Sequence, residues 1–209
     1  MKWFVRIFIG IFFLLAVALA GNALSYINFD PQYSFLKLKQ VAIETGWYLP
    51  AYYSHVLVAG IILVIGFFQV SESFRKRFLK THRLLGKVYV FGILFFSAPG
   101  GMIMAFFINR GPMVLTSFVL QCSLWIYFTY EAYRFIRQRK TENHRAMMYR
   151  SFALTLAAIT LRVYIFFSSY QYNLAQPVAY ATIAWLSWVP NLLVAEWIIR
   201  YRMVSNARG

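Results

Sequence analysis

Two phrases in this sequence carry the residue types that could do chemistry. His82-Arg83 and His144-Arg145 each stand at the start of a long apolar run. Glu72, Glu131 and Glu196 stand near the ends of other apolar runs. Alternating passages through a bilayer would bring all of these to one side. Two histidines from different helices can ligate a b-type haem axially. Histidine and glutamate can instead bind a metal or shuttle protons. The structural alternative is a layer of interfacial salt bridges, with His-Arg capping helix ends and touching lipid phosphate. His55 cannot share one haem with His82, because adjacent spans place them more than roughly 20 Å apart by helical rise. The pair to expect at a haem, or at a quinone, is therefore His82 with His144.

A second set lies deeper. Polar groups at membrane depth are costly and count as functional candidates. Arg162 is about 20 Å of helical rise past Tyr149. It ends a stripe of His144, Met148, Ser151, Thr155 and Ala158 at spacings of three and four, which share one helix face. Small and hydroxyl residues allow another helix to approach closely, so Arg162 is expected to face the bundle. Pro99-Gly100-Gly101, after Ser97, is expected to break or kink its helix and free backbone carbonyls. Pro190 does the same further on, with Asn191 beside it to satisfy part of the deficit. A ligand pocket around His55, Ser97, Pro99, Arg162 and Asn191 follows. Its structural alternative is an arginine that bonds freed carbonyls and locks the bundle.

The elements that must hold these residues are set by composition. The 209 residues are 61% hydrophobic and 13% charged, where soluble domains carry about a quarter charged residues. Apolar stretches near 20 residues recur along the whole chain, which means helices in lipid. Six spans are expected, near 3–24, 50–71, 86–108, 112–134, 149–170 and 178–199, in a single all-α membrane domain covering 1–209. The net charge of +15 could suggest nucleic acid. The basic residues instead form short caps between apolar runs, which is how topology is encoded.

Lys2 and Arg6 precede the first run, and six basic residues between Arg75 and Lys87 fill the second connection. Six more between Arg134 and Arg150 fill or flank the fourth, and Arg200, Arg202 and Arg208 end the chain. Only Lys37, Lys39 and Arg110 lie on the opposite side. Both termini are therefore expected in the cytoplasm, in a bacterial inner membrane. Ala18-Leu19-Ala20 after the first run resembles a signal-peptide cleavage site, but the run is long for a signal and reads as an anchor.

The outer loop 25–49 interleaves Phe35, Leu36, Leu38, Val41 and Ile43 with Lys37, Lys39 and Glu44, which suits an interfacial helix. Trp47, Tyr48, Tyr52 and Tyr53 form an aromatic belt into the next span. Cys122 is a lone cysteine, with no disulfide framework and no paired metal ligand. No metal ion site is expected, and no phosphate-binding or hydrolase motif is present.

At these same residues the chain resembles DUF2306, a family of bacterial membrane proteins of unknown function. The resemblance rests on His82 through Tyr89, Ser97 through Gly101, His144-Arg145 with Met148 through Thr155, Thr160 through Tyr164, and Trp188 through Glu196. It covers about residues 50–200 and implies a fold and a compartment, but no reaction. A looser likeness runs to the cytochrome b561 group, through His82-Arg83-Leu84-Leu85-Gly86. That group uses two histidine pairs, whereas this chain has three histidines in all, which leaves room for at most one haem b.

Three function classes follow. One is a redox module with a haem or a quinone near His82 and His144. The second is a protein that binds or moves a small molecule or lipid through the Arg162 pocket. The third is a structural or accessory subunit, acting in an oligomer within the bilayer.

Overall fold

The computed structural model describes residues 2–169 and 177–207. The connection Tyr170–Pro177, apart from Pro177, lies outside the described residues, as does Arg208. Every regular element among the described residues is helical. Six helices are long and apolar enough to cross a membrane: Arg6–Asn28, Tyr48–Val70, Leu79–Phe106, Pro112–Arg137, Thr141–Ser169 and Val178–Met203. Large apolar side chains such as Phe8, Leu14, Phe95, Phe106, Leu193 and Trp197 stand exposed along them. That pattern suits lipid rather than water as the surrounding medium.

The chain forms two compact units, Met1–Ile108 and Asn109–Gly209. The first contains α1 (Lys2–Leu24), the short α2 (Gln40–Ile43), α3 (Tyr48–Val70), α4 (Glu72–Arg77), α5 (Leu79–Gly92) and α6 (Ala98–Phe106). The second contains α7 (Pro112–Arg137), α8 (Thr141–Ser169), α9 (Pro177–Leu186) and α10 (Val189–Ala207).

In the first unit α3 is central and packs on α1, α5 and α6. A Cβ on Gly60 of α3 would lie 2.8 Å from the Ala23 Cβ and 3.3 Å from the Ala20 Cα of α1. The small residues near the end of the first apolar run thus have a packing role. The outer loop is ordered by Leu36, which is fully buried among Tyr26, Tyr48 and Tyr52. Two 3-10 turns (Ser25–Asn28 and Ser34–Lys39) and α2 carry it. Leu38 and Val41 remain exposed on the outside of this cap.

Of the break or kink expected at Pro99, the third span shows no break. Its helix runs on from α5 to α6 through one wider π turn, Ile93–Ser97, in which the Ala98 N–H donates to the Ile93 carbonyl. Proline removes a donor and crowds the preceding turn, and a π turn accommodates both without ending the helix. Two helix starts also differ from expectation. The third span begins at Leu79 rather than 86, and the fifth at Thr141 rather than 149. His82-Arg83 and His144-Arg145 stand at helix starts, as the sequence predicts, about one turn in from Leu79 and Thr141.

In the second unit α7 and α8 are joined by a tight turn. Arg139 adopts a left-handed conformation with φ of 61°. The Arg139 N–H donates to the Ile136 carbonyl and the Lys140 N–H to the Phe135 carbonyl, at 3.1 and 2.9 Å. This is a Schellman cap, and it folds α8 directly back along α7.

Gly100 sets the approach of α6 to α3. A Cβ there would lie 2.6 Å from the Ala51 carbonyl oxygen and 3.0 Å from the His55 backbone nitrogen. Backbone cannot yield as a side chain can. Gly100→Ala should therefore lower stability by about 1–3 kcal/mol, the usual range for overpacking. Gly86→Ala should be close to neutral, because its Cβ would meet only the Gln69 side-chain oxygen and alanine favours the helix. Thermal unfolding of both variants in detergent checks the contrast.

Candidate functional site

The helix stripe read from the sequence packs α8 against α7. Ser151 and Thr129 share a hydrogen bond of 2.7 Å, both fully buried. The Trp125 indole N–H donates to the Thr155 hydroxyl at 3.1 Å. Two turns nearer the basic end from Ser151, His144 Nδ1 lies 2.8 Å from the Ala132 carbonyl oxygen. A carbonyl only accepts, so the proton is on Nδ1 and the lone pair is on Nε2. Glu131, next to Ala132, is buried and takes its cation from its own helix, Arg134 at 2.6 Å.

Beyond these contacts α8 meets α10. Arg150 donates through Nε and one terminal nitrogen to both carboxylate oxygens of Glu196, at 2.5 and 2.9 Å. Its other terminal nitrogen faces Met147 Sδ at 3.6 Å, and its guanidinium lies 5.9 Å from the Phe128 ring centre on α7. This one side chain ties three helices together. Further along, Asn191 on α10 donates to the Ser187 and Ala153 carbonyls at 3.0 and 3.3 Å. The Thr160 hydroxyl of α8 also donates to the Ser187 carbonyl. Pro190 lies in the first turn of α10, and the Ser187 carbonyl just before it is served by these two side chains.

Past the Arg150–Glu196 pair the two helices leave a groove of about 470 Å³ at the basic end of the unit. Its polar wall includes Glu142, Asn143, Arg145, Arg150 and Arg202; its apolar wall includes Met147, Ile199 and Met203. Arg145 and Arg202 are half-buried. Arg145 lies 3.4 Å from Glu142, and the Arg202 guanidinium lies 5.2 Å from the Tyr149 ring centre. With Glu196 neutralising Arg150, the groove presents two further guanidiniums against one carboxylate. Arg150 and Arg202 appear in the sequence only as two of many basic caps. The signal for them was Glu196, a carboxylate in an apolar helix that needs a cation on the neighbouring span.

The residues expected to line a ligand pocket belong to both units. His55, Ser97 and Pro99 belong to the first unit, while Arg162 and Asn191 belong to the second. His55 Nδ1 lies 2.6 Å from the Ser97 carbonyl oxygen, so this histidine too carries its proton on Nδ1. Ser97 is fully buried, and no hydrogen bond reaches its hydroxyl among the described residues. Arg162 does not face the bundle as the stripe predicts. It is exposed, with a terminal nitrogen on the Ala158 carbonyl at 3.0 Å. An arginine bonds its own helix more easily than it desolvates.

The remaining candidates are local. Glu72 opens α4, where Ser71 caps the helix, and pairs with Lys76 at 3.0 Å. Arg83 is exposed. His82 is half-buried in the first turn of α5, and its carbonyl accepts from Gln69 at 3.3 Å. Among the described residues no group of three or more His, Cys, Asp or Glu side chains converges to hold a metal ion.

The family model described as "Predicted membrane protein (DUF2306)" matches residues 52–199. No curated protein and no solved structure matches the chain.

The Arg150–Glu196 contact is a bidentate fork that lysine cannot reproduce. Arg150→Lys should destabilise the protein by roughly 1.5 kcal/mol, the low end for charged hydrogen bonds because both groups are partly exposed. Glu196→Gln should cost a similar amount, and the double variant less than the sum. A double-variant cycle on thermal unfolding measures it.

Proposed function

This chain belongs to the DUF2306 family of membrane proteins, and we propose that it binds an amphiphile with an anionic headgroup in the groove between α8 and α10. The observation that carries this reading is the groove's composition. Guanidiniums from Arg145, Arg150 and Arg202 line it beside Met147, Ile199 and Met203. Basic pockets between membrane helices at the boundary suit anionic headgroups, and the apolar wall suits the chain attached to them. Arginine is the better choice for this task, because its fork matches phosphate and carboxylate oxygens in pairs. The groove opens at the level where α8 enters and α10 leaves the apolar layer. Charge asymmetry supports a cytoplasmic position for this end, in a bacterial inner membrane.

The test is retention of added lipid by the purified protein in neutral detergent, followed by native mass spectrometry. Phosphatidylglycerol should be retained over phosphatidylcholine. The Arg145→Ala, Arg202→Ala double variant should weaken that retention about thirtyfold, as two lost phosphate contacts near 1 kcal/mol each would. Equal retention of both lipids, or no effect of the double variant, would remove the reading.

A second reading is favoured by His144. Its Nδ1–H is held by the Ala132 carbonyl, which fixes the ring and leaves Nε2 as a ligand, as in many metal-bound histidines. In this reading Nε2 of His144 would ligate one haem b for electron transfer, or would accept a proton from a quinol. The haem form predicts an intense visible absorption band after haem-replete expression, lost in the His144→Ala variant. A colourless protein sinks it.

A further inference from the structure

We infer that Glu142 is a built-in competitor for the headgroup, and that the headgroup is a phosphodiester with one net negative charge and no cation of its own. This rests on the reading that the groove takes an anionic amphiphile.

The argument begins with which guanidiniums are available. Arg150 lines the groove, but two of its three nitrogens are engaged by Glu196 and the third faces Met147. It forms a neutral floor. Arg145 and Arg202 are half-buried and face the space above it. Among the described residues neither has a close charge-assisted anionic partner. Arg202 lies over the Tyr149 ring at 5.2 Å, and a guanidinium in that position keeps its edge free for oxygen acceptors. Among the described residues the anion beside Arg145 is Glu142, at 3.4 Å from each carboxylate oxygen. That is long for a charge-assisted hydrogen bond, which prefers 2.7–2.9 Å.

Glu142 is the more exposed partner, with 63% of its side chain accessible against 33% for Arg145. It lies in the first turn of α8, where a carboxylate is stabilised by the helix dipole whether or not it touches Arg145. It can therefore leave Arg145 at little cost. A weak, exposed, displaceable carboxylate in front of a half-buried guanidinium has the position that an incoming phosphate oxygen would take.

The charge balance then selects the headgroup. With the floor neutral, the groove offers two guanidiniums and one carboxylate, so it is complementary to a single net negative charge. A zwitterionic headgroup would match only if its ammonium took Glu142 as partner. That alternative predicts the opposite effect of removing Glu142, which makes the two separable.

The experiment compares wild type, Glu142→Gln, and the Arg145→Ala, Arg202→Ala double variant, each as the full chain in neutral detergent. The probes are short-chain phosphatidylglycerol and phosphatidylethanolamine, read by native mass spectrometry. Glu142→Gln should tighten phosphatidylglycerol binding about fivefold, equivalent to one partly exposed ion pair near 1 kcal/mol. An unchanged or weaker affinity for phosphatidylglycerol overturns the inference, as does weakened phosphatidylethanolamine binding in the same variant. Displacement of the lipid by millimolar inorganic phosphate also overturns it, because a free anion rather than a lipid would then be the occupant. If wild type and the double-arginine variant bind phosphatidylglycerol equally, the underlying groove reading has failed instead. Thermal unfolding of Glu142→Gln confirms that the variant is folded.

Discussion

Arg150 and Glu196 are charges placed near the ends of two apolar helices, where neither can keep a full shell of water. Removing one partner of such a pair leaves an uncompensated charge, which costs more than the pair itself contributes. The pair therefore acts mainly as a constraint on register. α8 and α10 must meet where these two side chains meet, with both carboxylate oxygens engaged. The groove beyond them is made of the next turns of the same helices. Its depth and width follow from where the pair locks. The α7–α8 register is fixed separately, by Thr129 on Ser151 and Trp125 on Thr155. A shift of one turn along either seam would strand those polar groups in apolar surroundings. The second unit is thus specified by polar contacts, since lipid gives apolar side chains little reason to prefer one helix neighbour over another.

The spans themselves were legible because the bilayer demands length and apolarity together, and few other folds do. Their ends were less legible. A reading that stops where polar residues begin places the third span at 86 and the fifth at 149. Helical hydrogen bonding has no such reason to stop. Lys80, Thr81, His82 and Arg83 continue α5, and Glu142 through Arg145 continue α8, because long polar side chains at a boundary reach water while the backbone stays paired. This matters for function, since it turns residues that looked like connectors into one wall of the groove.

Short motifs were legible as positions but not as roles. His82-Arg83 and His144-Arg145 are alike as sequence. In the structure the first phrase lends a backbone carbonyl to Gln69, while the second fixes its imidazole on Ala132. Nothing within the phrase distinguishes them; the helix each one packs against does. Pro99 and Pro190 are both prolines in apolar runs, yet one is absorbed by a π turn and the other stands at the start of a new helix. What differs is the neighbourhood. Gly100 lets α3 approach closely enough for His55 to take the Ser97 carbonyl, whereas Asn191 and Thr160 serve the carbonyl of Ser187. Asn191 could be assigned that role from sequence because it is next to the proline. His55 is more than 40 positions from Ser97, and only the fold joins them.

The arginines show most clearly why a site can stay hidden in a composition that is otherwise easy to read. Basic residues that cap apolar runs are read as topology signals so readily that none seems to need another purpose. Topology, however, asks only that a cation remain on that side, and an exposed lysine does this as well as an arginine. It does not ask for arginines that are half-buried between two helices, nor for one placed over a tyrosine ring. Arg145, Arg150 and Arg202 have those properties, and Arg83 does not. The excess organisation of three cations over what orientation requires is the part of the charge pattern that points to a ligand. It becomes visible only once α8 and α10 are seen side by side.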